Sequence, residues 1–116
     1  MTYKHILYEP GKIARIRLNR PKYHNAQSWL MCEEISSAFE QAARDETVGC
    51  IVLSGEGKNF SVGHDIGTEE DKQFRRDHGH VPKDRMGRYD KQRDMTFEKT
   101  LRWRNIPTGK LTITVL

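Results

Sequence analysis

The chain has 116 residues, of which 35% are hydrophobic and 31% are charged, and its formal net charge at pH 7 is +4. This length predicts one small domain, and no apolar segment approaches the length of a membrane span, so we expect no membrane association. The modest positive charge fits an anionic partner, which includes phosphorylated small molecules as well as nucleic acid.

The cysteines, Cys32 and Cys50, form no C-x-x-C motif. Cys32 lies in a helical pattern and Cys50 in a strand pattern, which predicts two reduced, buried thiols in a cytoplasmic protein. Residues 1–12 contain neither a long apolar core nor a small-residue cleavage site, so we expect no signal peptide.

The N-terminal segment predicts a β-hairpin. Tyr3–Tyr8 is short and strand-like, and Pro10-Gly11 fits the two central positions of a type II turn. Lys12–Arg20 then alternates between apolar and basic residues, with Ala14, Ile16 and Leu18 on one face. A period of two is typical of a strand with one face in water.

The polar connection Asn19–Ser28 leads into a predicted amphipathic helix. The apolar stripe of this helix consists of Met31, Ile35, Ala38, Phe39 and Ala42. The spacing matches one face of an α-helix. Asn25 or Ser28 is a candidate cap at its start, and Glu33, Glu34 and Arg44 stand where the helix dipole favours their charges.

The run Cys50–Leu53 predicts a strand that is covered on both faces, because all four residues are apolar. Residues 67–94 are rich in charge and have no clean period, so we interpret them as a variable loop or lid with short helical turns. Met95, Phe97, Leu101 and Trp103 then indicate a helix that ends at Pro107. The last segment, Leu111–Leu116, alternates like a strand.

Several charged or histidine-containing segments are weak candidates for a site. His78 and His80 lack further ligands at metal-binding spacing, so we expect no metal. Glu69-Glu70-Asp71 fits a solvated acidic run better than a catalytic one. The basic segment Arg75–Arg88 is diluted by acidic residues, so nucleic acid is not the expected partner.

The most informative segment is Gly55–Gly67, which follows the predicted buried strand. It matches neither the P-loop pattern nor the dinucleotide-binding pattern of glycines, and an ordinary surface turn is one interpretation. The other rests on Gly63, which allows a sharp bend and leaves the N–H of His64 without a sheet partner. Asp65 can accept local N–H groups and start a helix at Ile66, where partial positive charge favours an oxyanion.

Two sequence blocks resemble the crotonase, or enoyl-CoA hydratase/isomerase, superfamily. The blocks are IRLNRPKYHNA and IVLSGEGKNFSVGHDI, and LRWRNIP resembles a later helix end of the family. The resemblance extends roughly from Ile6 to Pro107. It implies an α/β fold, an incomplete crotonase-like spiral of strand–strand–helix units. Residues 1–107 are then the N-terminal part of the domain and residues 108–116 a divergent end, which we interpret as a truncation.

The resemblance also implies site residues. The backbone N–H of His64, freed by Gly63, is expected to be one of two donors to a thioester oxygen. The residues expected to contact coenzyme A are Lys22, Tyr23, His24, Ala26, Ser61, Asp65 and Ile66. Arg20 is a further candidate for its phosphates. No cofactor is implied beyond the coenzyme A of an acyl-CoA substrate, and full-length relatives are expected to be homo-oligomers.

The implied activity is acyl-CoA thioester processing through an enolate, although the second oxyanion donor and the catalytic carboxylates are expected beyond the C-terminal residue of this chain. We therefore expect this chain alone to be poorly active. The alternative is a non-catalytic coenzyme A-binding or interaction module of the same ancestry. A basic nucleic-acid binder is the third hypothesis.

Overall fold

The computed structural model describes residues 2–78, 84–86, 93, 98–105 and 110–116. The strands are β1 (Ile6–Glu9), β2 (Ile13–Leu18), β3 (Cys50–Gly55) and β4 (Leu111–Thr114). The α-helices among these residues are α1 (Trp29–Arg44), α2 (Glu69–Asp77) and α3 (Lys99–Arg104), and a 3-10 turn covers Pro21–Tyr23.

The four strands form one sheet in the order β1-β2-β3-β4. β1 and β2 are antiparallel and form the predicted hairpin, whereas β2, β3 and β4 are mutually parallel. Parallel neighbours need a crossover, and α1 supplies it between β2 and β3. The predicted order of strand, strand, helix and strand is therefore confirmed.

The core lies between α1 and one face of the sheet. The predicted stripe of α1 is buried, and Ile16, Leu18 and Ile51 supply the opposing surface. Trp103 of α3 closes the core from outside, because its ring stacks on that of Phe39 with centroids 5.6 Å apart. The predicted helical period is thus confirmed for α1. For α3 the helix itself is confirmed over Lys99–Arg104, but Leu101 is 53% exposed and only Trp103 is buried, while Met95, Phe97 and Pro107 lie outside the described residues.

Both ends of α1 have partners for their backbone groups. The Ser28 hydroxyl accepts a hydrogen bond from the Met31 N–H at 3.1 Å, so Ser28 is the N-cap and Asn25 is not. At the other end, Lys110 Nζ donates to the carbonyls of Ala42 and Ala43. Lys110 precedes β4, and it therefore ties the last described strand to the helix.

Glu34 has a role that the sequence did not indicate. Its carboxylate is buried and accepts the backbone N–H groups of Lys4 and His5 at 2.6 and 2.7 Å. The sequence indicated only that the charge of Glu34 suits the helix dipole, whereas the structure shows that Glu34 also satisfies the backbone donors that lead into β1.

The predictions that β3 is covered on both faces and that both cysteines are buried need correction. In β3 only Ile51 is fully buried, while Val52 and Leu53 are half-buried, because α1 covers one face of the strand within the described chain. Both cysteines are free, but Cys50 is only half-buried. Cys32 is buried, and its burial raises the pKa of its thiol to about 11.

Residues 67–94 are more regular at their start than predicted, since α2 is a nine-residue helix. Thr68 caps it by accepting the Asp71 N–H.

None of the described helices combines the length and the apolar character needed to cross a membrane.

Replacing Phe39 with Ala tests the packing of α1 on the sheet and α3. Phe39 is 2% exposed and stacks on Trp103, so its removal leaves a cavity. We expect the free energy of unfolding, measured by urea denaturation, to fall by about 3–5 kcal/mol. Glu33→Ala on the exposed side of the same helix is the control and should change it by less than about 0.5 kcal/mol. Equal effects of the two substitutions would contradict this packing.

Candidate functional site

The two sequence blocks meet at the sheet edge where β2 and β3 end. Because these strands are adjacent and parallel, the segments that follow them leave the sheet on the same side. They pair through a short parallel bridge between Gln27 and His64. The Gln27 N–H donates to the Gly63 carbonyl at 2.8 Å, and the Asp65 N–H donates to the Gln27 carbonyl at 3.0 Å.

This pairing leaves the N–H of His64 directed away from Gln27. In a parallel bridge the residues on either side of the central one make both hydrogen bonds, and these residues are Gly63 and Asp65. Within the described part of the chain, no group accepts a hydrogen bond from the His64 N–H. His64 itself is exposed. A backbone N–H that is fixed in place and has no acceptor within the protein is a suitable donor to a developing oxyanion.

Gly63 makes the bend through its backbone conformation. Its φ is +104°, a region that residues with a side chain rarely adopt. A Cβ added at this position would meet nothing within 4 Å, so the surrounding space does not require glycine. The torsion angle alone therefore accounts for glycine before His64.

Ser61 supports the bend from within. Its hydroxyl donates to the Asn25 carbonyl at 2.7 Å and accepts the Gly63 N–H at 3.1 Å. The side-chain amide of Gln27 also reaches this hydroxyl, at 3.3 Å. Ser61 thus joins the two segments through its side chain, a role that the sequence did not indicate.

Asp65 lies immediately after His64 and is 4% exposed. Its Oδ1 accepts the N–H groups of Gly67 and Thr68, as the sequence predicted for local backbone donors. Helix α2 nevertheless begins at Glu69, so the expected start at Ile66 was wrong. Ile66 is instead 98% exposed beside the bend.

The Asp65 carboxylate stays ionised in this environment. Burial raises its pKa, but hydrogen bonds from the side chain and backbone of Thr68, from Gly67 and from Arg20 outweigh that effect. The net result is a pKa well below the usual range of an aspartate. An enclosed carboxylate with these partners does not present its oxygens to a ligand, so the expected contact of Asp65 with coenzyme A stays a prediction that concerns the rest of the residue.

Arg20 is the charged partner of Asp65 and is itself 5% exposed. Its Nη1 lies 2.7 Å from Asp65 Oδ2 and donates to the Ala26 carbonyl at 2.9 Å. Its Nη2 donates to the Thr68 hydroxyl, and its guanidinium lies over the ring of Tyr23 at 4.5 Å. Both Nη atoms of Arg20 thus have partners inside the fold, and its side chain is only 4% exposed, so in this structure Arg20 presents no accessible donor to a phosphate.

The other residues expected to contact coenzyme A have mixed environments. Lys22 and His24 are exposed. Tyr23 is half-buried, and the cations of Arg20 and Lys22 lie 4.5 and 5.7 Å from the centre of its ring. Asn59 Nδ2 lies 3.0 Å from His24 Nδ1. Ala26 is buried. Lys22, Tyr23 and His24 thus form the accessible part of the first segment.

Asn25 was considered from the sequence only as a helix cap. It is fully buried with φ +57°, and its Oδ1 accepts the Arg20 N–H at 2.8 Å. Its Nδ2 donates to the carbonyls of Glu56 and Asn59. The local sequence offers one signal for this backbone conformation: asparagine tolerates positive φ better than most residues do.

The acidic run at the start of α2 is not uniformly solvated. Asp71 is 2% exposed, accepts the Trp29 N–H at 2.8 Å and pairs with Arg75. Glu70 contacts the buried ring of His5. A cavity of about 250 Å³ lies between α2 and the start of α1, with both His5 and Glu70 in its lining. No group of three metal-ligating side chains occurs within the described ranges.

Substituting Gly63 with Ala should strain the bend. A side chain at φ +104° costs about 1–3 kcal/mol in the free energy of unfolding. Gly67→Ala is the matched control, because Gly67 has an ordinary φ and open space around it. We expect this substitution to change the free energy of unfolding by less than about 0.5 kcal/mol. Urea denaturation measures both. Tolerance of the Gly63 substitution at the level of the control would contradict the assigned conformation.

The lowered pKa of Asp65 predicts a specific pH dependence of stability. A carboxylate whose folded pKa lies below its unfolded value, near 3.8, stabilises the fold above that value and loses this contribution as pH falls through the folded pKa. Asp65→Asn should therefore be destabilised most at neutral pH, with the difference from the unmodified chain shrinking from about pH 5 downwards.

Denaturant unfolding between pH 7 and pH 3 measures this difference. Glu46→Gln serves as the control, since Glu46 is exposed and should give a nearly constant, small difference. A difference for Asp65→Asn that did not depend on pH would show that this carboxylate is not held ionised in the fold.

Comparison with known proteins identifies relatives that match this chain. A family model described as enoyl-CoA hydratase/isomerase matches residues 9–95. The Mycobacterium tuberculosis protein EchA13, whose name assigns it provisionally to the enoyl-CoA hydratases, is 37% identical over 96% of this chain and 38% of its own length. The trans-2-decenoyl-[acyl-carrier-protein] isomerase of Streptococcus mutans is 40% identical over 57% of this chain and 26% of its own.

Solved structures give the same result for the fold. A protein from Mycobacterium smegmatis, described as a probable enoyl-CoA hydratase, superposes with a TM-score of 0.78 at 32% identity, over 97% of this chain and 40% of its own. An enoyl-CoA hydratase/isomerase from Xanthobacter autotrophicus Py2 gives 0.73 at 30% identity, over 99% of this chain and 39% of its own.

These matches confirm the predicted crotonase-like α/β fold. The matches also show how much of the relatives this chain corresponds to: it spans about two-fifths of their length. The family match across most of the chain and the 37% identity to the mycobacterial relative show that this chain belongs to the enoyl-CoA hydratase/isomerase family.

Proposed function

We propose that this chain forms part of an acyl-CoA thioester-processing enzyme of the hydratase/isomerase type, in which the His64 N–H stabilises an enolate oxygen. One observation carries the proposal: at the Gly63 bend and the bridge to Gln27, the N–H of the exposed residue His64 has no acceptor among the described residues. The names of the relatives support the substrate class, since an enoyl-CoA and a decenoyl acyl-carrier protein are both thioesters of a phosphopantetheine arm.

The chemistry requires a fixed donor at the thioester oxygen. Addition of water to an enoyl thioester, or loss of the proton next to its carbonyl, moves negative charge onto that oxygen. A backbone N–H that is already directed at the oxygen stabilises this charge without reorganisation, and one such donor is worth on the order of 3 kcal/mol in related mechanisms. The imidazole of His64 has no part in this step.

The accessible residues of the first segment are proposed to hold coenzyme A. Lys22 is an exposed cation that can pair with a phosphate, and Tyr23 and His24 offer ring surfaces beside it. Ile66 is 98% exposed after the bend and can contact the pantetheine arm. Asp65, Ser61 and Ala26 are proposed to act indirectly, by holding the backbone that the ligand meets. No cofactor beyond coenzyme A enters this scheme.

The two buried carboxylates near the bend, Asp65 and Asp71, do not supply a catalytic base. Asp65 is paired with Arg20, and Asp71 is paired with Arg75 and hydrogen-bonded to the Trp29 N–H. A base must be free to accept a proton, and both of these carboxylates are already engaged by partners within the fold. We therefore propose that the acid, the base and the second oxyanion donor are supplied outside the described residues, and that this chain alone turns over poorly.

The alternative is a non-catalytic coenzyme A-binding or interaction module of the same ancestry. The same occupied carboxylates favour it, because binding requires the backbone donor and the accessible first segment but no base. A cytoplasmic location and homo-oligomeric full-length relatives remain proposals under either function.

Isothermal calorimetry of the 116-residue chain with free coenzyme A and crotonyl-CoA tests the proposal. We expect micromolar binding, tighter for crotonyl-CoA, with no measurable loss of the enoyl absorbance. His64→Pro removes the N–H and should abolish the preference for the thioester, whereas His64→Ala keeps the N–H and should retain it. Circular dichroism confirms that both variants are folded.

The outcomes separate the functions. Absence of binding to either ligand would contradict the coenzyme A assignment altogether. Robust turnover of crotonyl-CoA by the isolated chain would contradict the proposed need for further catalytic groups. Retention of the thioester preference in a folded His64→Pro variant would show that another group binds the carbonyl oxygen.

A further inference from the structure

We propose that Arg20 is a positioning residue for the oxyanion donor, because its guanidinium joins both backbone segments of the bridge that orients His64. This inference rests on the proposed function and specifies how the donor is held in place. Arg20 touches neither His64 nor the proposed substrate. It acts through the residues on either side of the Gln27–His64 bridge.

The contacts of one guanidinium connect the two segments. Nη1 donates to the carbonyl of Ala26, which directly precedes Gln27, and also lies 2.7 Å from the carboxylate of Asp65, which directly follows His64. Nη2 donates to the Thr68 hydroxyl at 3.1 Å, and that hydroxyl donates to the same carboxylate. The two strands of the bridge are thus clamped beside the residue whose N–H they direct outward.

Because the contacts of Arg20 with Ala26 and Asp65 are buried, they favour one arrangement of the two segments. The side chains of Arg20 and Asp65 are 4% and 2% exposed. A buried ion pair adds little net stability compared with apolar packing, but removing or misplacing either partner is costly because the other charge is left unpaired. Only conformations of the bend that preserve the fork-shaped contacts are therefore low in energy.

A second arginine holds the bend from the side of α2. Arg75 pairs with Asp71 at 2.8 Å, lies 4.3 Å over the ring of Trp29 and reaches the carbonyl of Asp65 at 3.4 Å. Asp65 is therefore held through its carboxylate by one arginine and through its carbonyl by another. Arg75 is partly exposed and its contact is longer, so Arg20 is the stronger constraint.

The test compares Arg20→Lys with Arg17→Lys. Lysine keeps the positive charge but lacks the planar guanidinium with its two Nη donors, so it cannot contact Ala26, Asp65 and Thr68 at the same time. Arg17 is the matched control, because it pairs with Glu9 and Glu56 on the surface, with its side chain 34% exposed. Two readouts are taken: the amide resonance of His64 in the ligand-free ¹H–¹⁵N spectrum, and the ratio of the affinities for crotonyl-CoA and free coenzyme A.

For Arg20→Lys we expect the His64 amide resonance to move and the preference for crotonyl-CoA to fall about tenfold, which corresponds to 1.4 kcal/mol. Arg17→Lys should change neither. Loss of stability alone would lower the folded fraction without altering the ratio of the two affinities in the folded protein. An unmoved His64 resonance in a folded Arg20→Lys variant would overturn the inference.

Asp65→Asn is the second variant, for the case in which Arg20→Lys does not fold. It keeps the shape of the side chain and removes its charge. Because Asp65 is the neighbour of His64 in the chain, the resonance observed for this variant is the amide of Gln27 across the bridge, and we expect it to move. The spectrum needs no ligand, so it tests the clamp separately from the proposed function. Failure of the unmodified chain to bind crotonyl-CoA would contradict the proposed function, whereas an unmoved resonance would contradict the positioning role.

Discussion

The buried pair of Arg20 and Asp65 is the constraint on which the candidate site depends. It connects the segment after β2 with the segment after β3 at a distance of 2.7 Å, and both charges are removed from water. Local hydrogen bonds from Thr68 and Gly67 complete the environment of the Asp65 carboxylate and keep its pKa below the usual range despite its burial. The bend at Gly63 lies next to this cluster and takes its direction from it.

The fold explains why the two segments are available to each other. α1 crosses from β2 to β3 and makes these strands parallel neighbours, so their following loops emerge at one edge of the sheet. The core between α1 and the sheet sets the position of that edge, and polar contacts from Asn25 and Ser61 then determine the details of the backbone. Apolar packing positions the site, whereas buried polar contacts shape it.

Local patterns in the sequence predicted the hairpin, α1 and β3, because alternation and helical periodicity directly reflect burial. Gly63 could also be identified, since glycine before a polar turn signals an unusual torsion angle. The pairing of Arg20 with Asp65 could not be predicted in this way, because its partners lie far apart in the chain and each resembles a surface residue. Helix α2 was missed for a related reason: its stability depends on the Thr68 cap and on the contacts of Asp71 and Arg75 rather than on an apolar stripe.

Amide hydrogen exchange at individual residues tests the central claim most directly. We expect the His64 N–H of the ligand-free chain to exchange rapidly, while those of Gln27 and Asp65 on either side of the bridge are protected by their hydrogen bonds. Addition of crotonyl-CoA should then slow exchange at His64. Protection of His64 equal to that of Asp65 in the ligand-free chain would contradict the proposed role of this donor, because the N–H would already have an acceptor within the protein.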